Sequence, residues 1–453
     1  MIYLVTQHPE LYETDYYKII SVPESLNMLK QCQVLQYDSE TTGLDPHLCT
    51  LLSAQFGNKR LGFQMVIDCT TVSISLYKDI LETTMLVGHN LKFDLQFLYN
   101  YSIIPRKVYD TMVVEQLLHL GFPYVPITPE EYKEFGYTFP YHIKYDKINY
   151  NEFYELSFAL DAVAKKYLNI ELDKTVRGQI IWRGLDTQVI LYAAKDVEYL
   201  EDIMKRQVEV CKQLECLKGA KLECDCVPAI AYLEWCGIKL DVGKWTTKMK
   251  SDLEELNKAK KDLDEWLLSI ADAPNFKKIK KKYVFINNQM DLFDGWDLTP
   301  KVILNWSSSK QVIEVAKLLG FNTAVQDKKT GEDKDSVLEK HLKSQKGIND
   351  EFLELYFKYQ EYAKVVSSFG QGHLNSINPV TNRLHTTFKQ LGAASGRMSC
   401  GSKQSNEDLE KYKKLPKGSC KQPNIQQLPG DEVTRGAFVA PVGHLMVSAD
   451  FSA

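Results

Sequence analysis

Residues 33–46 read QVLQYDSETTGLDP, and the rest of the chain is organised around them. Val34, Leu35 and Tyr37 form an apolar, β-prone run that closes at a Gly43/Pro46 turn, so the stretch is predicted to be a strand. Asp38 and Glu40 stand two apart in it, and alternate residues of a strand share a face, which sets their carboxylates side by side. Like charges so close repel unless a cation lies between them, and a divalent metal is the usual answer. By itself the pair also reads as a solvated acidic face. Its partners further along the chain decide between the two.

Residues 51–56 and 61–67 are predicted as two short strands joined through Gly57-Asn58-Lys59-Arg60. In VGHNLKFDLQFLYN (87–100), Leu91, Leu95 and Leu98 recur at helical spacing, and Asn90 and Asp94, four apart, are expected on one helix face. The helix of KVYDTMVVEQLL (107–118) starts at Asp110-Thr111, which look like an N-terminal cap. Residues 121–151, rich in Pro and Tyr, are expected to be an irregular excursion. FALDAVAKKYL (158–168) is an amphipathic helix, and a further helix over 187–201 carries Tyr192 and Asp196 four apart. Taken in order, Asp-x-Glu on a strand, Asn-x-x-x-Asp on a helix and Tyr-x-x-x-Asp on a later helix supply four carboxylates able to converge on two metal ions.

These motifs resemble the DEDD 3′–5′ exonucleases of the kind with a tyrosine in the third motif. The matches are YDSETTGLD (37–45), GHNLKFDLQFL (88–98) and YAAKDVEYL (192–200), with LDAVAKKYLNIEL (160–172) similar to the family's intervening segment. The resemblance implies an RNase H-like α/β domain, a mixed sheet with flanking helices. It implies that Asp38, Glu40, Asp94 and Asp196 bind the metals and that Tyr192 orients the attacking water. Thr41, Leu44 and Asn90 would hold the 3′-terminal nucleotide. The chemistry is consistent: two ions about 4 Å apart serve both ends of an in-line displacement at phosphorus, one activating water and one stabilising the leaving oxygen. Hard oxygen ligands suit Mg²⁺ or Mn²⁺.

The composition agrees with a globular enzyme. At 453 residues the chain has room for two or three domains, and its 44% hydrophobic and 25% charged content are ordinary for one. No apolar run approaches the roughly 20 residues of a membrane span, and MIYLVTQHPELYETD lacks a basic leader, so a cytoplasmic protein is expected. A net charge of −4 excludes a uniformly basic nucleic-acid binder but leaves room for basic patches. Cys211, Cys216, Cys224 and Cys226 invite a zinc reading, yet their spacing is irregular and lacks a paired CxxC, which favours reduced thiols.

Past residue 205 the texture changes to long charged helical patterns. LECDCVPAIAYLEWCGIKLD (222–241) ends in Gly237 and Asp241, and a Lys/Glu-rich helix is predicted from Lys244 to about Ser269. NFKKIKKKY (275–283) reads either as a surface for a DNA backbone or as a solvated charged face. NWSSSKQVIEVAKLLGF (305–321) reads as a helix with Ser307 to Ser309 as capping candidates, and EFLELYFKYQEYAKVVSSF (351–369) as a long amphipathic helix. These elements resemble the thumb of family A DNA polymerases.

RLHTTFKQLGAASGRMSC (383–400), KQPNIQQLP (421–429) and RGAFVAPVGHLMVSADFSA (435–453) resemble the beginning of the α+β palm of the same family, those similar to bacterial DNA polymerase I. That resemblance implies an exonuclease domain over 1–205, a mostly helical thumb over 206–370 and the first piece of a palm over 371–453. It makes Asp450 the first catalytic carboxylate of a polymerase site and gives Arg397, Asn424 and Gln426 contacts to primer-template DNA. Such donors can reach the minor-groove acceptors that every base pair presents, although Arg397 also reads as a phosphate contact. The lysine-rich SKQSNEDLEKYKKLPKGSC (402–420) departs from the family and is expected to be a flexible basic loop. The sequence stops three residues after Asp450, without the fingers and the second palm carboxylate. The expectation is therefore the N-terminal portion of a phage-type replicative polymerase, with a second polypeptide, or splicing, completing the polymerase site. A stand-alone 3′–5′ exonuclease of the RNase D kind and a non-catalytic DNA-binding subunit of a split polymerase are the alternatives.

Overall fold

The computed structural model describes the whole chain except residues 13–14, 121–140, 146–151, 173–175, 177–179, 287–289, 292–294, 297–299, 327–332, 394, 402–422 and 448–453. It divides into two compact units, residues 1–238 with 377–426, and residues 239–376 with 427–453.

The first unit is built on a seven-stranded sheet of β1 (Ile2–Val5), β2 (Lys18–Ile19), β3 (Val34–Thr41), β4 (Leu51–Asn58), β5 (Phe63–Asp68), β6 (Met85–Gly88) and β7 (Val108–Asp110), in the order β2-β1-β5-β4-β3-β6-β7. β3 runs antiparallel to β4 and parallel to β6, so the predicted strand is central in a mixed, RNase H-like sheet. Helices cover it: α1 (Val22–Leu29), α2 (Lys78–Thr83), α3 (Leu91–Tyr99), α4 (Thr111–Leu118), α5 (Leu160–Leu168), α6 (Ile180–Arg183), α7 (Thr187–Asp196), α8 (Leu200–Gln213) and α9 (Leu217–Cys236). Leu35, Tyr37, Phe56, Leu91, Leu95 and Leu98 are wholly buried in one core, which is why the apolar residues of β3 and α3 keep the periodicities of 2 and 3.6.

The hairpin and the amphipathic helices expected from the sequence are present, with shifted ends. β4 and β5 pair antiparallel; β4 runs two residues past its expected end, and β5 starts two residues later than expected and ends one later, the turn closing at Gly62 with φ of +66°. The helix expected over 187–201 is two helices: α7 ends at Asp196, Val197 leaves helical geometry at φ −102° and ψ 13°, and α8 starts at Leu200. Neither Gly nor Pro marks that break. Val197 instead presses its carbonyl against β4, where a Cβ built on Gly57 would stand 2.3 Å from that oxygen. A similar closeness brings α3 to β3, since a Cβ on Gly88 would meet the Leu91 side chain at 2.3 Å and the Tyr37 carbonyl at 2.9 Å. The expected excursion over 121–151 lies mostly outside the described residues; within it a strand Tyr141–Tyr145 pairs antiparallel with Glu152–Leu156.

The cysteine cluster does not form a metal site among the described residues. Cys211 and Cys224 are buried in the core with Val87 and Tyr109, whereas Cys226 faces a separate cluster with Ile230 and Phe388. Burial pushes the Cys211 and Cys224 thiols up to about 12, so they remain protonated.

In the second unit, Asp241 caps the helix Val242–Ile270 by accepting from the Lys244 amide. That helix packs along the helix Asp350–Ser368 around Trp266, Trp306 and Phe352. The helix Ser309–Leu318 starts at Ser308, but no serine side chain caps it; the Ser307 hydroxyl instead meets that of Tyr359 at 2.9 Å. In the basic run, Lys280 pairs with Asp272 and Lys282 with Glu314 at 2.8 Å. No described helix is long and apolar enough to cross a membrane.

Candidate active site

Asp38 and Glu40 leave the same face of β3, opposite Gln55 and Ser53 of β4, just before an irregularity between Glu40 and Thr41 that ends the regular pairing. Asp196 is the last residue of α7, which buries Ile190, Ala193 and Ala194 in a cluster with Leu4 of β1 and Val66 of β5. One carboxylate oxygen from each of Asp38, Glu40 and Asp196 lies within 4.8 Å of the others, and all three residues are partly exposed. Tyr192, one turn before Asp196, is on the same helix. This all-oxygen set fits a hard divalent cation, and among the described residues it is the one group with metal-ligand spacing.

Asp94 stands outside that group. It is buried, and the hydroxyl of Ser39, the residue between Asp38 and Glu40, donates to it at 2.6 Å. Burial lifts its carboxyl to about 7, with Ser39 pulling down and Asp110 pushing up. Asn90 is not on the face of α3 expected from the i, i+4 spacing: it sits one residue outside the helix in left-handed geometry, φ 61° and ψ 41°. The Thr41 hydroxyl donates to the Gly43 carbonyl at 2.7 Å, which shapes the turn that presents Leu44, 61% exposed.

The cap expected at Asp110 is present and does more than cap one helix. Its fully buried carboxylate accepts from Met112 and Val113 at the start of α4, and from Asn90 and Leu91 at the start of α3, at 2.8 to 3.2 Å. Burial raises its pKa while these amides oppose the rise. The start of α3 also borders a cavity of about 640 Å³, lined by Asn90, Lys92, Met112, Gln116 and Phe158 on one side and by the 387–392 segment on the other. Lys92, Phe158 and this later segment lie in stretches singled out in the sequence, but none of them was assigned there to this cavity.

Of the residues expected to meet primer-template DNA, Arg397 is exposed in a turn where its carbonyl accepts from Ala393 at 3.1 Å. Asn424 lies against Gly401 and its side chain accepts from the backbone N–H of Gln426, which is exposed. Asp450 and the lysine-rich stretch 402–420 lie outside the described residues.

The mixed sheet, with an acidic cluster at the end of its central strand, defines the class of RNase H-like exonuclease domains, and residues 20–209 match the family model described as 3′-5′ exonuclease. Residues 296–406 match that of DNA polymerase family A. In both regions the chain is similar to the DNA polymerase I-like members of family A. It is 24% identical to DNA polymerase I of Aquifex aeolicus over 455 residues, 95% of this chain and 60% of that protein. It is 22% identical to DNA polymerase I of Borreliella burgdorferi over 448 residues, 96% of this chain and 40% of the other. The chain thus spans 60% or less of the length of these relatives. A solved structure titled as the POL domain of Pol1 from M. smegmatis, in complex with DNA primer-template and dNTP, shares the fold with a TM-score of 0.59 at 17% identity, over 97% of this chain and 59% of that one.

Proposed function

We propose that the first unit removes 3′-terminal nucleotides from DNA with two divalent ions, Mg²⁺ or Mn²⁺, and so proofreads for the polymerase of which this chain is a part. The observation that carries this is the meeting of Asp196, more than 150 positions further along the chain, with Asp38 and Glu40 within 4.8 Å. These three, joined by Asp94, would hold the ions; bound ions supply an activated water and stabilise the leaving oxygen. Tyr192 orients the water through its hydroxyl. Thr41, Leu44 and Asn90 hold the terminal nucleotide, and the cavity beside Asn90 receives the unpaired strand, with Phe158 for base stacking.

In this reading residues 1–205 are the exonuclease, 206–370 a thumb and 371–453 the first piece of a palm. Arg397, Asn424 and Gln426 contact primer-template DNA, and Asp450 serves the polymerase site. The test is direct. With Mg²⁺ or Mn²⁺ the chain should shorten single-stranded DNA from its 3′ end to nucleoside monophosphates, and Asp38→Ala/Glu40→Ala should abolish this while circular dichroism stays unchanged. A double variant as fast as the parent would show that the site is elsewhere.

A further inference from the structure

One buried charge pair ties the two walls of the cavity together. Glu234, near the C-terminal end of α9, is 5% exposed. Its carboxylate accepts from Lys92 Nζ at 2.7 Å and from Gln96 Nε2 at 2.8 Å, so it grips α3 at two positions one turn apart. The same carboxylate accepts from the backbone N–H of Phe388 at 2.5 Å, and Lys92 Nζ donates to the carbonyl of Phe388 at 2.5 Å. Both polar groups of one peptide residue are therefore held by the two members of one ion pair. Lys92 and Phe388 also both line the cavity, side by side where they touch. The backbone of Glu234 adds a further tie, its carbonyl 2.8 Å from His385 Nδ1.

We propose that Lys92 and Glu234 form a clasp that sets the separation between α3 and the 387–391 segment, and hence the fit of a nucleic-acid strand between them. The pair is a positioning device: it acts on the substrate through the walls it holds. Burial raises the energetic stake, because a charge stranded by loss of its partner is costly inside a protein, whereas loss of both charges is far less so. Lys92→Met alone strands Glu234. The double variant Lys92→Met/Glu234→Gln keeps side-chain volume and leaves an amide oxygen for the Phe388 N–H, but it removes the attraction that draws the walls together.

The substrate part of this inference rests on the exonuclease reading; the clasp itself does not. Two measurements on the full chain separate them. Hydrogen–deuterium exchange in the double variant should show faster exchange confined to residues 91–96 and 386–391, with the melting temperature close to that of the parent. Affinity for fluorescein-labelled (dT)₆ in EDTA should fall on the order of 10-fold, and KM for its hydrolysis should rise while kcat holds. Unchanged exchange in both segments overturns the clasp. Faster exchange with unchanged (dT)₆ affinity overturns its bearing on the strand. A parent chain that binds no (dT)₆ refutes the nuclease reading and, with it, that bearing, while exchange still decides the clasp.

Discussion

At the scale of single residues the site depends on where a few polar atoms sit. Tyr192 is placed one turn before Asp196 on α7, whose residues Val189, Ile190, Ala193 and Ala194 are buried, and in the proposed reading its hydroxyl orients the water. Tyr192→Phe keeps the ring and removes the hydroxyl. Cleavage should slow by on the order of 10²-fold while single-strand affinity barely changes; an unchanged single-turnover rate would make the tyrosine a packing residue. Asp38, Glu40 and Asp196, which meet in the structure, were singled out by spacings of two and four residues. The hydrogen bond from Ser39 to Asp94 was not, because residues 55 apart meet only once the sheet and α3 have packed.

At the scale of elements, the start of α3 is the most constrained point of the site. Four backbone amides from the first turns of two helices converge on one buried carboxylate, Asp110, and each helix start carries positive dipole charge toward it. Sequence alone pointed to a cap for α4; the second helix it holds could not be read, since its amides belong to residues about twenty positions earlier. Asp110→Ala leaves these donors buried and unsatisfied, and should destabilise the first unit by about 3 kcal/mol. Urea unfolding monitored by circular dichroism measures this, and a loss below about 1 kcal/mol would mean that water replaces the carboxylate. The break between α7 and α8 belongs to the same class of feature. Amphipathic periodicity ran on through Glu201, but the close approach of Val197 to Gly57 on β4 stops the helix at the residue that joins the acidic cluster.

At the scale of the molecule, buried histidines couple stability to pH. In the second unit His373 is 4% exposed, its ring centroid 5.0 Å from that of Trp245, and its Nε2 is buried without a hydrogen-bond partner among the described residues. Burial, helped by Lys248, pushes its pKa down to about 4 from an ordinary 6.5. The unfolded chain takes up this proton first as pH falls, so stability is fully present above 6.5 and is lost between 6.5 and 4, with a slope approaching 1.4 kcal/mol per pH unit. His373→Phe should flatten that part of the stability profile measured by urea titration; an identical profile would assign the acid sensitivity to other groups.

The sequence by itself determined which residues form strands and helices and which polar residues share a face of each, because periodicities of 2 and 3.6 are properties of the local backbone. It also carried the motif order that marks the family. Only the tertiary structure decided that Asp38, Glu40 and Asp196 meet while Asp94 turns to Ser39, that Asp110 starts two helices, and that Glu234 and Lys92 reach Phe388. These contacts join residues as many as 296 positions apart. Nothing in local spacing encodes them; they exist because burying the apolar faces of β3, α3 and α9 brings those polar groups together.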